Sequence, residues 1–199
     1  MLPLVLLSLL AADLPTDAKI EFENPSVRIV RVHYTPHMKT ALHDHPAAAV
    51  VYVYVTDGGR LRIGHDGEEP VTRPPVKAGG IRYQKPVAES HVVVELDGVE
   101  SEYIRIELKT RLVDLPAADV RIPPAENQPY ESGLLRIERV TCPPNGACPV
   151  SAHPERPAVV VIGKTARWLE PNASVLLNTA NTPMQQVRVE LKTPPAAQP

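Results

Sequence analysis

The sequence is poor in several residue types, and each shortage excludes a class of protein. Its 199 residues include only 10 glycines, two cysteines, one tryptophan, one phenylalanine and six tyrosines. With a net charge of −2, the sequence has no excess of basic residues of the kind that binds nucleic acids, so no nucleic-acid partner is expected. Proline, by contrast, occurs 23 times. Because interior prolines break helices, the composition favours short strands joined by turns over a helical bundle or a Rossmann-type domain.

No long apolar run is present either, so no membrane span is predicted. The uncharged run over residues 2–12 (LPLVLLSLLAA) is shorter than the roughly 20 residues of a transmembrane helix. Its length suits the apolar region of a signal peptide, although no Lys or Arg precedes it, and a buried first strand is the alternative. We expect residues 1–12 to be a signal peptide, the mature protein to be periplasmic or secreted, and residues 194–199 to form a flexible tail.

The two cysteines lie close together in the chain. Cys142 and Cys148 flank the segment Pro-Pro-Asn-Gly-Ala, whose first four residues are a turn signal that would let the two sulfurs meet. In an oxidising compartment a disulfide is the simplest interpretation, and two free thiols in a cytosolic protein are the alternative. A redox-active pair is disfavoured, because its cysteines would be separated by two residues.

The chain contains an internal repeat. Residues 22–53 align without a gap with residues 130–161 at an offset of 108, and residues 103–110 align with residues 186–193 at an offset of 83. Because the offsets differ, the second copy resembles the first with about 25 residues removed from its middle. The coincident positions include Arg28/Arg136, Ile29/Ile137, Pro36/Pro144, His45/His153 and Pro46/Pro154.

The repeated segments have the pattern of β-strands. Ile104, Ile106 and Leu108 alternate with charged residues, and residues 50–55 (VVYVYV) are rich in strand-forming residues without helical periodicity. Asp-Gly within residues 64–67 marks a hairpin turn. Many short strands per copy predict an antiparallel sandwich or barrel. The expected organisation is a first unit over 18–112, a proline-rich linker over 113–129 and a shortened second unit over 130–193.

Three histidines are placed to share a metal ion. His43 and His45 are two residues apart, so on a strand both imidazoles point to the same face. His91 begins another strand-like segment and can supply a third imidazole. Histidine is the commonest protein ligand for transition metals, which favours a metal site over the alternative of a polar cluster in a metal-free barrel.

The spacing of these residues resembles the cupin family. Its first motif is His-x-His followed after three or four residues by Glu, and its second is Gly, five residues, Pro-x-Gly, two residues, His, three residues, Asn. Gly80, Pro86 and His91 keep the second spacing, with Ala88 in place of glycine and Glu95 in place of asparagine. The second copy then resembles a shortened and degenerate cupin unit, so that the chain resembles a bicupin.

The resemblance implies an all-β fold, with a cupin-type antiparallel barrel (a double-stranded β-helix or jelly roll) and a second, truncated β-unit. It also implies a divalent metal bound by His43, His45 and His91, with zinc, iron, manganese, nickel and copper as candidates. The family's glutamate ligand should fall at Ala49 or Val50, so this chain lacks it.

The second copy departs further from the family pattern. His153 matches His45, but Ser151 and Ser174 stand where His43 and His91 do, so we expect this copy to be structural.

The remaining histidines, including His65 in its hairpin turn, are expected to be surface, cross-strand or solvated residues. An apolar cavity wall is expected from Ala47, Ala48 and Ala49. Five residues are candidates for contact with an anionic ligand at the barrel opening, namely Arg60, Arg62, Arg82, Tyr83 and Gln84. The alternative for the arginines is charge alternation on half-exposed strands.

The leading functional hypothesis is an exported, non-nucleotide cupin protein that binds a divalent metal and a small molecule in its first barrel. A metal-dependent oxygenase or isomerase using open coordination positions is the second hypothesis. The third is a structural or interaction protein in which both barrels have lost their metal. The sequence shows no nucleophile–base pair, phosphate loop or nucleotide motif, assigns no catalytic residue, and leaves a homodimer open.

Overall fold

A computed structural model describes residues 18–109 and 119–192 of the chain. The segments predicted as signal peptide and flexible tail lie outside the described residues. Within the described ranges the chain forms 17 β-strands and no helix, and hence no helix that could span a membrane. The all-β prediction is confirmed.

The first unit contains two antiparallel sheets. Its strands are β1 (Ala18–Glu23), β2 (Val27–Tyr34), β3 (His43–His45), β4 (Ala49–Tyr54), β5 (Leu61–His65), β6 (Val71–Arg73), β7 (Ile81–Gln84), β8 (Glu89–Glu95), β9 (Ser101–Leu108) and β10 (Val120–Ile122). The larger sheet has the order β1-β2-β9-β4-β7-β10, and the smaller has the order β3-β8-β5-β6. Val30 and Val32 of the larger sheet pack against Ile63 and Val93 of the smaller one, and this contact closes the barrel.

The second unit is smaller. Its strands are β11 (Tyr130–Glu131), β12 (Leu135–Cys142), β13 (Gly146–Ala147), β14 (Ala158–Ile162), β15 (Thr165–Leu169), β16 (Leu177–Asn178) and β17 (Met184–Leu191). They form a five-stranded sheet of order β11-β12-β17-β14-β15 and a two-stranded sheet β13-β16.

The two units repeat one strand register. Val27 pairs with Leu108 in the first unit, and Leu135 pairs with Leu191 at the corresponding place in the second. The β5–β6 hairpin has no counterpart, because β14 and β15 are joined directly by a turn containing Gly163 at φ 55°. The residues missing from the second copy are therefore those of this hairpin, and the prediction of a truncated second β-unit is confirmed.

The large sheets of the two units share one hydrophobic core. Val51, Val53 and Ile106 of the first sheet belong to the same buried cluster as Val159 and Val189 of the second. The opposite face of β4 points into the first barrel, so this strand is covered on both sides. This explains why residues 50–55 form an unbroken apolar run rather than an alternating one.

A disulfide joins the strand β12 to the loop that follows it. Cys142 and Cys148 are bonded with their Cα atoms 4.3 Å apart, and both side chains are buried. The intervening turn places Asn145 in the left-handed region at φ 48°, which asparagine tolerates better than most residues. Such a bond is compatible with an oxidising, extracellular compartment.

Removing this disulfide is expected to destabilise the protein by about 2 kcal/mol, because a short loop restricts the unfolded chain only modestly. The Cys142→Ala/Cys148→Ala variant should unfold at a lower urea concentration than the wild type. Reductant should lower the wild-type midpoint towards that of the variant and leave the variant unchanged. An unfolding midpoint that reductant does not move in the wild type would contradict a structural role.

Candidate metal centre

The smaller sheet of the first barrel aligns histidines from three neighbouring strands. His91 on β8 lies directly opposite His43 on β3 and opposite His65 on β5. Residues that face each other across antiparallel strands project from the same side of the sheet, as do residues two apart on one strand. His45 and Glu89, the next opposed pair, therefore share this face with them, and the face points into the barrel.

The three histidines predicted from the sequence meet at one point. The ring centroids of His43, His45 and His91 are 4.7 to 4.8 Å apart, and one nitrogen of each lies within 4.8 Å of the others. His91 is the most enclosed, with 6% of its surface exposed. Zinc–nitrogen bonds of about 2.0–2.1 Å place tetrahedral donor atoms roughly 3.3 Å apart. The three donor nitrogens would therefore have to move closer together to bind one ion.

Acceptors lie beside two of these rings, and the one beside His43 accepts a hydrogen bond. The Nδ1–H of His43 donates to the carbonyl oxygen of Ala41 at 3.0 Å, which puts the ring lone pair on Nε2. Nδ1 of His91 lies 3.5 Å from a carboxylate oxygen of Glu89. Metal-binding histidines almost always present their second nitrogen to a carbonyl or carboxylate in this way. The residues present thus fit a bound metal ion.

Glu89 and His65 are members of the cluster that sequence reasoning missed. Nε2 of His65 lies 3.2 Å from Oε2 of Glu89, and the side chain of His65 is 24% exposed. The expectation that His65 is a solvated turn residue is wrong, because it ends β5 and faces the barrel interior beside His91. The position of Glu89, two residues before His91 on one strand, was a signal that could have revealed it.

Glu89 brings to the cluster the negative charge that the missing glutamate ligand would have carried. The two expected positions, Ala49 and Val50 on β4, are both buried apolar residues. Burial opposes ionisation of Glu89, but hydrogen bonds from His91, His65 and Gln84 outweigh it and lower its pKa below the ordinary glutamate value. The carboxylate of Glu89 is therefore charged at neutral pH. It lies on β8, whereas the glutamate ligand of the family was expected on β4.

Arg105 competes with any metal ion for His45. Its Nη1 donates to Nδ1 of His45 at 2.6 Å. Burial, followed by the charges of Arg105, His91 and His43, lowers the pKa of His45 to about 3, so that this imidazole is neutral and able to bind a metal at physiological pH. A metal ion bound through Nε2 would require the proton on Nδ1, and hence the loss of this contact with Arg105.

A cavity of about 240 Å³ adjoins the histidines. The alanines expected to form its wall do not line it, and Ala49 is buried in the core between the units instead. Of the residues considered as ligand contacts, Arg82 does line the cavity, whereas Tyr83 is also buried in that core. The wall is mainly apolar, but it also contains four tyrosines and four arginines, namely Tyr34, Tyr52, Tyr54, Tyr103, Arg73, Arg82, Arg105 and Arg121.

The corresponding place in the second unit is closed by polar side chains. Ser151, at the position of His43, donates a hydrogen bond to Glu190, and His153 instead pairs at the surface with Glu155. The cavity beside Ser151 and Ser174 measures about 60 Å³. Among the described residues of this unit no three potential metal ligands come together.

Glu95 and Asn178 anchor equivalent turns in the two units. The carboxylate of Glu95 accepts hydrogen bonds from the backbone N–H groups of His37 at 2.9 Å, Asp97 at 2.9 Å and Gly98 at 2.7 Å. The side-chain amide of Asn178 donates to the carbonyl oxygens of Pro143 and Thr182 and accepts from the backbone N–H of Ala180. The replacement of the motif's asparagine by Glu95 therefore preserves a structural role and adds no metal ligand.

Comparison with known proteins gives matches in structure but not in sequence. No family model and no curated protein matches the sequence. The fold is similar to AerE from Microcystis aeruginosa, at 14% identity and a TM-score of 0.54 over 90% of this chain and 98% of AerE. It is also similar to YhaK from Escherichia coli, at 10% identity and a TM-score of 0.56 over 85% and 89% of the two chains.

A single-residue mutant of the oxalate decarboxylase OxdC from Bacillus subtilis has a TM-score of 0.54 at 12% identity, covering 86% of this chain and 70% of OxdC. Oxalate decarboxylase and other proteins among these structural matches are cupins. This chain has a cupin fold. The resemblance inferred from the histidine and glycine–proline spacings is thereby confirmed. Because the cupin fold hosts many functions, the activity has to be argued from the site itself.

Proposed function

We propose that the first barrel of this cupin protein binds one divalent transition-metal ion through His43, His45 and His91, and a small molecule in the adjoining cavity. The observation that carries the proposal is the convergence of three imidazoles within 4.8 Å on the barrel face beside that cavity. The carbonyl of Ala41 supports it, because it accepts a hydrogen bond from His43, and so does the carboxylate of Glu89, which lies 3.5 Å from Nδ1 of His91.

A bound ion would act as a Lewis acid on a ligand that reaches it from the cavity. Three protein ligands leave at least one coordination position open, as in catalytic rather than structural zinc sites. The contributions of the chain itself are to hold the imidazoles in position, to keep His45 neutral, and to enclose the site between two sheets. The carboxylate of Glu89 offsets part of the positive charge of the ion.

Titration of metal-free protein with cobalt(II) tests this proposal. We expect one cobalt ion per chain, since the three histidines come from one barrel only. The bound cobalt should give a visible absorption band typical of a low coordination number. The His153→Ala variant, altered in the second unit, should bind the same amount. A folded protein that takes up no cobalt, zinc or iron would contradict the proposal and favour a structural or interaction role.

We further infer that the protein works outside the cytosol, in the periplasm or after secretion. The disulfide between Cys142 and Cys148 supports this, because such bonds persist in oxidising compartments. The apolar run over residues 2–12 supports it independently.

A further inference from the structure

We propose that the cavity of the first barrel takes a small carboxylate, whose negative charge is bound by arginines of the cavity wall. This inference rests on the proposed use of the cavity as a ligand site, but it does not depend on the metal ion. It assigns the chemical class of the ligand, which neither the fold nor the histidine cluster specifies.

The charges that line the cavity are unbalanced. Its wall contains the four arginines Arg73, Arg82, Arg105 and Arg121. Asp119 pairs with Arg82 at 2.5 Å, and Glu107 pairs with Arg105 at 3.3 Å. Arg73 and Arg121 have no salt-bridge partner in the part of the chain that the structure describes, which leaves a net positive wall.

The carboxylate that lines the cavity does not correct this imbalance. Glu102 is already paired with Arg31 at 2.8 Å and with Lys164 at 2.8 Å. Its charge is therefore engaged on the far side of its strand, away from Arg73 and Arg121. A ligand with its own negative charge would supply the missing counter-ion.

Arg82 and Arg105 are the most enclosed arginines of this positive wall, and Arg73 is half-buried. The side chain of Arg82 is 7% exposed and lies over the ring of Tyr52, with Cζ 5.4 Å from the ring centroid. Its Nε and Nη1 have no hydrogen-bond partner among the described residues. Burial, followed by the neighbouring charge of Arg82, lowers the pKa of Arg73. A bound anion beside Arg82 and Arg73 would offset the burial of their charges and would accept hydrogen bonds from the unpaired N–H groups of Arg82.

The rest of the wall specifies what the anion is attached to. Val32, Ile63 and Val93 contribute apolar surface, and Tyr34 and Tyr103 contribute aromatic rings. At about 240 Å³ the cavity is smaller than the roughly 300–1,000 Å³ pockets of drug-sized ligands, so it fits a small molecule with a short apolar body.

A carboxylate fits this wall better than a phosphate does. The planar guanidinium group binds carboxylates and phosphates alike through two parallel hydrogen bonds, so the choice between them depends on the rest of the wall. Phosphate sites commonly add backbone N–H groups at a helix N-terminus, and the described residues contain no helix. The arginines and the apolar wall therefore favour an organic acid.

Calorimetric titration with matched pairs of carboxylates and neutral amides tests the inference. The probes are acetate, succinate and benzoate against acetamide, succinamide and benzamide, first in metal-free protein and then after metal loading. At least one acid should bind about tenfold or more tightly than its amide, because a hydrogen bond to a charged group contributes about 1.5–3 kcal/mol. Inorganic phosphate serves as the competing anion.

Charge-removing variants locate the binding. Arg73→Gln and Arg82→Gln should each weaken binding of that acid about tenfold and leave binding of the amide unchanged. Arg62→Gln removes the same charge from the exposed face of β5 and should have no effect. Because Arg82 is buried, its variant is checked by circular dichroism, and the half-buried Arg73 provides the test if Arg82→Gln does not fold.

Equal binding of acids and amides, binding of phosphate alone, or no binding of any probe would overturn the inference. So would an equal loss of affinity in Arg62→Gln and Arg73→Gln. Metal uptake is measured on the same samples, which separates the two proposals. A protein that binds the acid but takes up no metal overturns only the metal site. A protein that takes up metal but binds no acid overturns only the carboxylate ligand.

Discussion

Replacing His91 by alanine is expected to abolish metal binding, with a loss of affinity of more than about 100-fold. His91 lies between His43 and His65 on the central strand β8, and its ring approaches both His43 and His45 within 4.8 Å. No other side chain of the described barrel occupies this central place. Of the three proposed ligands, only the two half-buried imidazoles on the short strand β3 would remain, and two ligands are too few for a stable site.

Two further variants calibrate this result. Glu89→Gln keeps all three imidazoles but removes the charge beside Nδ1 of His91, so metal affinity should fall about 10–100-fold. His33→Ala removes an exposed histidine that pairs with Glu100, and it should bind metal as the wild type does. Thermal unfolding of each metal-free variant shows whether the fold is intact. Wild-type affinity in His91→Ala, or an equal loss in His33→Ala, would contradict the assignment.

The second large effect is expected on stability. Glu95→Ala should destabilise the protein by about 1–3 kcal/mol, because three backbone N–H groups would lose their acceptor. Glu95 is 2% exposed, and its carboxylate binds the backbone at His37, Asp97 and Gly98. Gly98 has a φ of 69° within this turn, which the carboxylate fixes.

Urea unfolding at neutral pH measures this effect. Glu95→Gln retains one acceptor oxygen and should lose less stability than Glu95→Ala, while Asn178→Ala should destabilise the equivalent turn of the second unit. A loss below about 1 kcal/mol in Glu95→Ala would show that the turn does not depend on the carboxylate.

Acidification should reveal the same interaction. Burial raises the pKa of Glu95, but the hydrogen bonds from the backbone at His37, Asp97, Val99 and Gly98 outweigh it and lower the pKa below 4.5. A lowered pKa contributes stability that is fully present above the unfolded value and is lost as the pH falls through the folded value. The wild type should therefore lose stability below about pH 4.5 more steeply than Glu95→Gln does.

The sequence was informative wherever a pattern is local or repeated. The two offsets predicted the shared strand register, and the His-x-His spacing brought His43 and His45 to one face because strand periodicity is two. The spacing around Gly80 and Pro86 identified His91 as their partner. These inferences needed no knowledge of which strands are neighbours in a sheet.

What the sequence did not reveal depends on strand pairing over long distances. His65 joins the cluster because β5 pairs with β8, and Glu89 faces His45 because β3 pairs with β8 on the other side. The arginines of the cavity come from β6, β7, β9 and β10, which no single motif connects. Ala49 was misplaced because the second unit, which covers that face of β4, could not be positioned from sequence.

A crystal structure of the protein grown with zinc, with diffraction data collected on both sides of the zinc absorption edge, tests the central claim most directly. The account predicts one strong anomalous peak in the first barrel, about 2.0–2.1 Å from nitrogens of His43, His45 and His91, with Arg105 displaced from Nδ1 of His45. An ordered barrel with no anomalous peak at these three histidines would contradict it.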